Sequence, residues 1–233
     1  MSVLSGTRPD ARQLSSIDWI SIPGCERIVF SFLTERGAPA SQIGLSRLEF
    51  APEQGILRIA MPRDVDETGI ADVLIEGTMA ERAYVVRSHS GELFVDLHIG
   101  NEGPVEARGL IIASPARLVI DLQPGPPDDN FRTEAPTLAG DIVVLSPAGG
   151  TAAYPLRIRG YARTLADIVT ASVSGIGPDV ERRITAAPSR DAWCEFSVTI
   201  SEGPGGDLLL LVAANRPPAD DADAGVIIAL TMP

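Results

Sequence analysis

Two stretches of this sequence share one pattern, SPARLVIDL at residues 114–122 and ERIVFSF at residues 26–32. In each, an arginine precedes an apolar residue, a valine, an apolar residue, a polar residue and a last apolar residue, so R-L-V-I-D-L matches R-I-V-F-S-F. Side chains of a β-strand alternate between its faces, so each copy has one fully apolar face. These faces comprise Leu118, Ile120 and Leu122 in one copy and Ile28, Phe30 and Phe32 in the other. Each copy therefore predicts a strand that buries one face in a sandwich core.

Similar short apolar runs recur along the rest of the chain, separated by many of its 22 glycines and 19 prolines. Evenly spaced strands with turn residues between them are typical of sandwiches and barrels, and the long helical pattern that a βαβ fold requires is missing. The stretch 62–72 could hold a helical turn or a loop. Residues 165–173 fit a helical face as well as a strand. We predict an all-β protein.

One proline-rich stretch, residues 123–140, interrupts this series and lacks periodicity. Proline-rich spacers are semi-rigid and resist both helix and sheet. We therefore predict two β-sandwich domains, at residues 17–122 and 141–233, joined by this linker. The second has the size and about the seven strands of an immunoglobulin-like domain. Residues 1–16 are polar and are expected to form a flexible tether.

The formal net charge of −12 argues against nucleic acid as a partner, because an acidic surface repels phosphates. No apolar run is long enough to span a bilayer as a helix. The first sixteen residues also lack the hydrophobic region of a secretory signal. The chain is therefore either cytosolic or a mature form whose export signal has been removed. We expect the second, an extracytoplasmic protein that a lipid anchor upstream of the chain could hold.

Arg27 and Arg117 head the two copies of the repeated strand, and Asp121 lies near the end of the second. Arg117 and Asp121 share a strand face but lie about 13 Å apart at 3.3 Å per residue, too far for a direct pair. Each therefore needs a partner on a neighbouring strand or in a ligand. Both interpretations stay open: cross-strand bonds at a sheet edge, or a weak ligand-binding surface formed by Arg27, Arg117 and Asp121.

Residues 17–122 resemble the AMIN-like domain of actinobacterial envelope proteins. The resemblance is carried by GCERIVFSF, GELFVDLHIG and SPARLVIDL, the last of which is similar to the P-x-R-L-V-I-D-L signature of AMIN domains. It implies a β-sandwich of two similar sheets, which would account for the repeated strand. It also implies a role in targeting proteins to the cell envelope through peptidoglycan or other wall components.

Residues 141–233 resemble the immunoglobulin-like domain of bacterial spore-germination proteins and related lipoproteins. VVLSPAGG, PLRIRGYA, CEFSVTI and the Asp-rich turn before GVIIALTMP carry the resemblance. The sequence departs from the pattern at Leu165 and Ala166, where an aromatic-acidic pair is expected, and at DADAG, which replaces a tighter turn. The resemblance implies a spacer or docking module, and neither family supplies catalytic residues.

The sequence lacks the common motifs of enzymatic chemistry: a G-x-S-x-G elbow, an H-E-x-x-H pair, a P-loop and a G-x-G-x-x-G turn that opens a helix. We therefore expect no enzymatic activity and no cofactor. His89 and His98 are expected to be half-exposed strand residues, since their spacing implies no third metal ligand. Cys25 and Cys194 fall in different predicted domains and are expected to be unpaired, partly buried thiols.

The loop PPADDADAG contains a weak candidate calcium site formed by Asp220, Asp221 and Asp223. Several oxygen ligands in one loop suit Ca²⁺. The spacing is not that of an EF-hand, so a solvated acidic turn is the alternative.

These observations lead to a non-enzymatic protein of the bacterial cell envelope that binds a cell-wall glycan or an envelope protein. One alternative is a structural interaction module, a homodimer or an adaptor, that pairs through an exposed sheet edge and does not bind glycan. A further alternative is a glycan hydrolase with an acidic site around Asp64 and Asp66. Glycosidases need two carboxyl groups held in a cleft, commonly with aromatic platforms, and aromatic residues make up only 5% of this chain.

Overall fold

The computed structural model describes residues 2–4, 9–100, 103–128, 131, 135–163, 168–186, 191–214 and 225–233, with 2–4 as backbone only. The chain divides into two compact units, Met1–Glu134 and Ala135–Pro233. Both are built from β-strands, and within the described ranges the one helical segment is the 3-10 turn Pro52–Gln54. No helix among the described residues is long and apolar enough to cross a membrane.

The first unit contains two sheets. Its strands are β1 (Ser2–Leu4), β2 (Gln13–Ile22), β3 (Cys25–Leu33), β4 (Ser46–Ala51), β5 (Ile56–Ala60), β6 (Glu67–Thr68), β7 (Asp72–Leu74), β8 (Ala80–Arg87), β9 (Leu93–Ile99), β10 (Val105–Ile112) and β11 (Arg117–Pro124). Sheet I has the order β1-β4-β5-β9-β8, and β7 also pairs with β8. Sheet II has five strands in the order β10-β11-β3-β2-β6. All these pairs are antiparallel except β2 with β6.

The apolar faces predicted for the repeated strands form the core side of sheet II. The six predicted core residues, Ile28, Phe30, Phe32, Leu118, Ile120 and Leu122, are all fully buried or nearly so. At about 1.5–3 kcal/mol for each fully buried side chain, each copy contributes roughly 5–9 kcal/mol before the cost of conformational entropy. Val119, on the opposite face, is also buried.

The two copies of the repeated strand are immediate neighbours in sheet II. β3 and β11 pair antiparallel with Val29 opposite Val119, Arg27 opposite Asp121 and Arg117 opposite Ser31. A local two-fold axis near the valine pair therefore relates the copies, and the arginine of each faces the polar residue of the other. The repeat does not arise from two similar sheets, because both copies lie in one sheet.

The second unit also contains two sheets. Its strands are β12 (Thr137–Ala139), β13 (Ile142–Ser146), β14 (Gly150–Thr151), β15 (Leu156–Ala162), β16 (Ile168–Ile176), β17 (Val180–Thr185), β18 (Trp193–Ile200), β19 (Gly205–Ala214) and β20 (Gly225–Thr231). Sheet III has the order β18-β15-β13-β12, and sheet IV has the order β14-β20-β19-β16-β17. β14 runs parallel to β20.

Strict alternation along the strands builds the core of the second unit. Leu208, Leu210 and Val212 in β19 are buried, whereas Leu209 and Leu211 are exposed. In β16 the buried residues are Val169, Ala171 and Val173, so the ambiguous segment is a strand from Ile168 onward. Leu165 and Ala166 lie outside the described residues.

Several short elements were not predicted. β1, β12 and β14 have two or three residues each, too few for a periodic pattern to be visible. The stretch 62–72 contains the two-residue strand β6 and no helical turn among its residues. β11 continues to Pro124 and β12 starts at Thr137, so both strands enter the stretch 123–140 that the sequence predicts to be linker.

Candidate functional site

The candidate site is the face of sheet II that points away from the core, which we call the outer face. Strand pairing places Arg27, Asp121 and Arg108 side by side on three neighbouring strands. The two arginines flank one carboxylate, and all three positions lie on the outer face because directly opposed residues share a face. The antiparallel β10-β11-β3 order thus brings together residues that are far apart in the sequence.

Arg27 holds Asp121 in a two-bond fork. Nε donates to Oδ1 at 2.6 Å and Nη2 donates to Oδ2 at 2.8 Å. The hydrogen bonds and charge of Arg27 lower the pKa of Asp121, and the nearby Arg108 acts in the same direction. Asp121 in turn raises the pKa of Arg27. The cross-strand interpretation therefore holds for Arg27 and Asp121.

Arg117 lies away from this pair. It is exposed and stands opposite Ser31, which offers no carboxylate. The outer face therefore carries an internally neutralised pair, Arg27 with Asp121, and two further guanidinium groups on Arg108 and Arg117. These two groups can donate hydrogen bonds to carboxylate, amide or hydroxyl oxygens of a bound molecule.

We expect the Arg27–Asp121 fork to make a small, pH-dependent contribution to stability. The folded-state pKa of Asp121 is lowered, so the contribution is present at neutral pH and is lost as the pH falls through that lowered pKa. Asp121→Asn should therefore lower the thermal midpoint slightly at pH 7, and the difference from the wild type should shrink as the pH falls below 3.8, the ordinary pKa of an aspartate. Melting curves of both proteins across this range provide the measurement, and a constant difference at every pH would contradict it.

Aliphatic residues on the same face were missed by sequence reasoning. Ile20 is 56% exposed and Leu110 is 54% exposed, and Ile22 and Ile112 are also exposed. In β10 every second residue from Glu106 to Ile112 is exposed, although the run reads as a buried strand. The only sequence signal was that GLIIA offers apolar residues to both faces, which is unusual for a strand with one core side.

Sheet I contains a polar cluster on β5, β8 and β9. Arg58 binds Asp96 through two bonds of 2.9 and 2.8 Å, and Asp96 is fully buried. The Arg58 guanidinium also lies 3.9 Å from the centre of the Phe94 ring. Arg82 and Asp72 form an ion pair of 2.8 Å on the next strands. Pairing with an opposite charge thus allows these charged side chains to be buried or partly buried in sheet I.

His98 belongs to this cluster and is buried, so the prediction of a half-exposed residue was wrong for it. Its ring makes an edge contact with Tyr84, with the ring centres 5.1 Å apart. Burial, with the charge of Arg82, lowers the pKa of His98 to about 3, and burial raises that of Tyr84 to about 12. Both groups therefore stay neutral near pH 7, which suits packing better than proton transfer. His89 is an exposed turn residue after β8, so the prediction of a half-exposed strand residue was wrong for it as well.

A second buried carboxylate, that of Glu26, connects β3 to the turn before β8. Its Oε1 accepts hydrogen bonds from the backbone N–H of Thr78, the Thr78 hydroxyl at 2.9 Å and the N–H of Met79 at 2.9 Å. Its Oε2 accepts from the N–H of Ala80 at 2.9 Å. A carboxylate with this many donors can be buried without an ion-pair partner. Glu26 therefore ties sheet II to sheet I and anchors the repeated strand.

The remaining sequence candidates do not add to the site. Asp220, Asp221 and Asp223, the weak calcium candidates, lie outside the described residues. Among the residues that are described, no group of three or more His, Cys, Asp or Glu side chains could hold a metal ion. Asp64 and Asp66 are both exposed, and the Asp64 carboxylate lies 3.8 Å from Arg12. Cys25 is a half-buried thiol in β3 and Cys194 is buried in β18.

Fold and site define the class as an all-β sandwich protein whose first unit has an exposed sheet face bearing arginines and aliphatic residues. Comparison with protein-family models finds no match, and comparison with curated proteins finds none either. The resemblances to AMIN-like and immunoglobulin-like domains therefore rest on the sequence motifs quoted above.

Proposed function

We propose that this is a non-catalytic binding protein of the bacterial cell envelope. In this proposal the first unit, an AMIN-like sandwich, contacts peptidoglycan or another envelope component through the outer face of sheet II. The second unit acts as a spacer or docking module. The supporting observation is the row Arg27–Asp121–Arg108, with Arg117 nearby, on a face that is open to solvent.

The chemistry of this face suits a polar wall component. Guanidinium groups bind carboxylates in a bidentate manner, and the peptide stems of peptidoglycan end in carboxylates. The exposed side chains of Ile20 and Leu110 can pack against methyl groups or sugar faces. The net charge of −12 would repel anionic polymers in general, so the local arginines are needed for any such contact.

We expect the purified protein to co-sediment with isolated sacculi and to lose this binding when the outer face loses its cations. Arg108→Glu with Arg117→Glu should weaken binding by at least about tenfold, because two donors become repelling groups. Arg36→Glu with Arg182→Glu is a matched control, because it makes the same charge change at exposed positions elsewhere. Absence of sedimentation with and without Ca²⁺, or equal loss in both variants, would contradict the proposal.

The compartment can be tested separately. The N-terminus of the protein from fractionated cells, read by mass spectrometry, should be processed or lipidated if the protein is exported. An unprocessed end in the cytosolic fraction would contradict the envelope assignment whatever the result with sacculi.

A protein–protein interaction module is the second candidate, and one observation favours it. Sheet IV exposes a contiguous aliphatic patch, in which Leu211 stands opposite Ile227 and Leu209 lies two residues along β19. Neighbouring positions on β16 are Ser172 and Ser174, so the patch is flat and nearly uncharged. Pull-down from an envelope extract with wild type and with Leu211→Ser would test this candidate, and identical captured proteins would contradict it.

A further inference from the structure

We propose that two copies of this chain pair through strand β10, with Ala107 of each copy at the two-fold axis. The proposal assigns a partner to an edge of sheet II and shares Arg108 with the proposed wall-binding face. β10 is eight residues long and ends the sheet order, with only β11 as its described neighbour in the ladder. β1 comes near β10, but it pairs with β4.

Long open edges are unusual in soluble proteins because their free backbone groups recruit other strands. Four of the strands that end a sheet order, β1, β6, β12 and β14, are very short, with two or three residues each. β17 is longer, but its Arg183 binds Glu181 on the same strand at 3.2 Å. β10 also carries charged residues, Glu106 and Arg108, but they have opposite signs and can pair with those of a second copy of the same strand.

The hydrogen-bonding phase of β10 determines which residues a second strand would meet. Gly125 donates its N–H to the carbonyl oxygen of Pro104, so Pro104 and Gly125 form a hydrogen-bonded pair with β11. Hydrogen-bonded pairs occur at every second residue of an antiparallel ladder. Counting on from Pro104, the backbone N–H and C=O groups of Glu106 and Arg108 therefore bond to β11. Val105, Ala107 and Gly109 therefore turn their N–H and C=O groups toward the open edge.

The charge pattern then selects one register. With Ala107 opposite Ala107 of the second copy, Glu106 faces Arg108 of that copy, and the same pair recurs across the axis. Moving the axis to Arg108 or to Glu106 would instead place like charges opposite each other, which is unfavourable. The Ala107 register also matches the outward backbone groups of residues 105, 107 and 109, which gives about six hydrogen bonds. The backbone phase permits this pairing, and the charges favour it over the registers centred on Arg108 and on Glu106.

Charge reversal tests this arrangement directly. Size-exclusion chromatography with light scattering should show a concentration-dependent dimer for the wild type. Arg108→Glu should raise its dissociation constant by about 100-fold, because two attractive pairs become two repulsive ones. Glu106→Arg should do the same. The double variant Glu106→Arg with Arg108→Glu should dimerise like the wild type, because the swap restores both pairs.

Mixing the two single variants provides the sharpest test. Glu106→Arg presents two arginines and Arg108→Glu presents two glutamates, so the mixture should form heterodimers. Native mass spectrometry with one variant labelled with ¹⁵N detects them. All substitutions are at exposed positions, and circular dichroism checks that each variant is folded.

Three results would overturn the proposal. One is a wild type that stays monomeric at every concentration. Another is a dimer that survives Arg108→Glu, and the last is a double variant that does not recover. If a dimer survives Arg108→Glu but is lost on Ile227→Glu, the aliphatic patch of sheet IV is the interface instead. Sacculus binding by a monomeric protein would leave the proposed function standing while removing this inference.

Discussion

Glu26→Ala is expected to lower the free energy of unfolding of the first unit by about 3–5 kcal/mol. The substitution removes the acceptor of three backbone N–H groups, those of Thr78, Met79 and Ala80, in a buried position. Each unsatisfied buried donor costs about 1–3 kcal/mol. The measurement is urea denaturation monitored by the fluorescence of Trp19, in a Trp193→Phe background so that Trp19 is the one tryptophan.

Gly77 supplies the matched test of the same contact. A Cβ on Gly77 would lie 2.5 Å from Oε2 and 2.7 Å from Cδ of Glu26. Gly77→Ala should therefore destabilise the wild type but cost much less in the Glu26→Ala background, where the carboxylate is gone. Glu26→Gln should show an intermediate loss because its amide nitrogen cannot accept from a backbone N–H. A loss below about 1 kcal/mol for Glu26→Ala would mean that water replaces the carboxylate.

Phe196→Ala is expected to lower the free energy of unfolding of the second unit by about 3–5 kcal/mol. Phe196 lies in β18 and is fully buried between sheets III and IV. Its loss creates a cavity that the rigid strands around it can fill only in part. Trp193 fluorescence during urea denaturation, in a Trp19→Phe background, provides the measurement.

Two further variants accompany Phe196→Ala: one removes an exposed side chain as a control, and the other alters a glycine next to Phe196. Ile227→Ala removes a side chain of similar kind that is 62% exposed, and it should change stability by less than about 0.5 kcal/mol. Gly160→Ala should be destabilising, because its Cβ would clash with the carbonyl oxygen of Val143 and lie 2.6 Å from Cζ of Phe196. Equal effects of Phe196→Ala and Ile227→Ala would contradict the proposed core.

The success of the sequence prediction differed between core and surface. The faces Ile28–Phe30–Phe32 and Leu118–Ile120–Leu122 were identified because burial follows a period of two that local sequence displays. The same rule failed for His98. As a polar residue in an alternating strand it was predicted to be half-exposed, but it is buried. Its burial depends on what packs against the second face of β9, and alternation along one strand carries no information about that face.

The candidate site was predicted only in part for the same reason. Arg27, Arg117 and Asp121 were identified from the sequence. Arg117 and Asp121 lie four residues apart in one strand, too far for a direct pair, so each was expected to need a partner elsewhere. That Asp121 pairs with Arg27 and not with Arg117 depends on the order and register of β3 and β11. Glu26 was not identified, because nothing near it in the sequence indicates the turn at Thr78 that binds it.

By itself, then, the sequence determined the all-β class, the positions of most strands and which side of each repeated strand is buried. These properties depend on neighbours in the chain, through side-chain alternation and turn residues. Only the tertiary structure decided that the repeated strands are neighbours, that Glu26 joins the two sheets and that β11 is the one strand paired with β10 among the described residues. Those features depend on pairing between residues far apart in the chain, where hydrogen bonds and packing in three dimensions select one register among many.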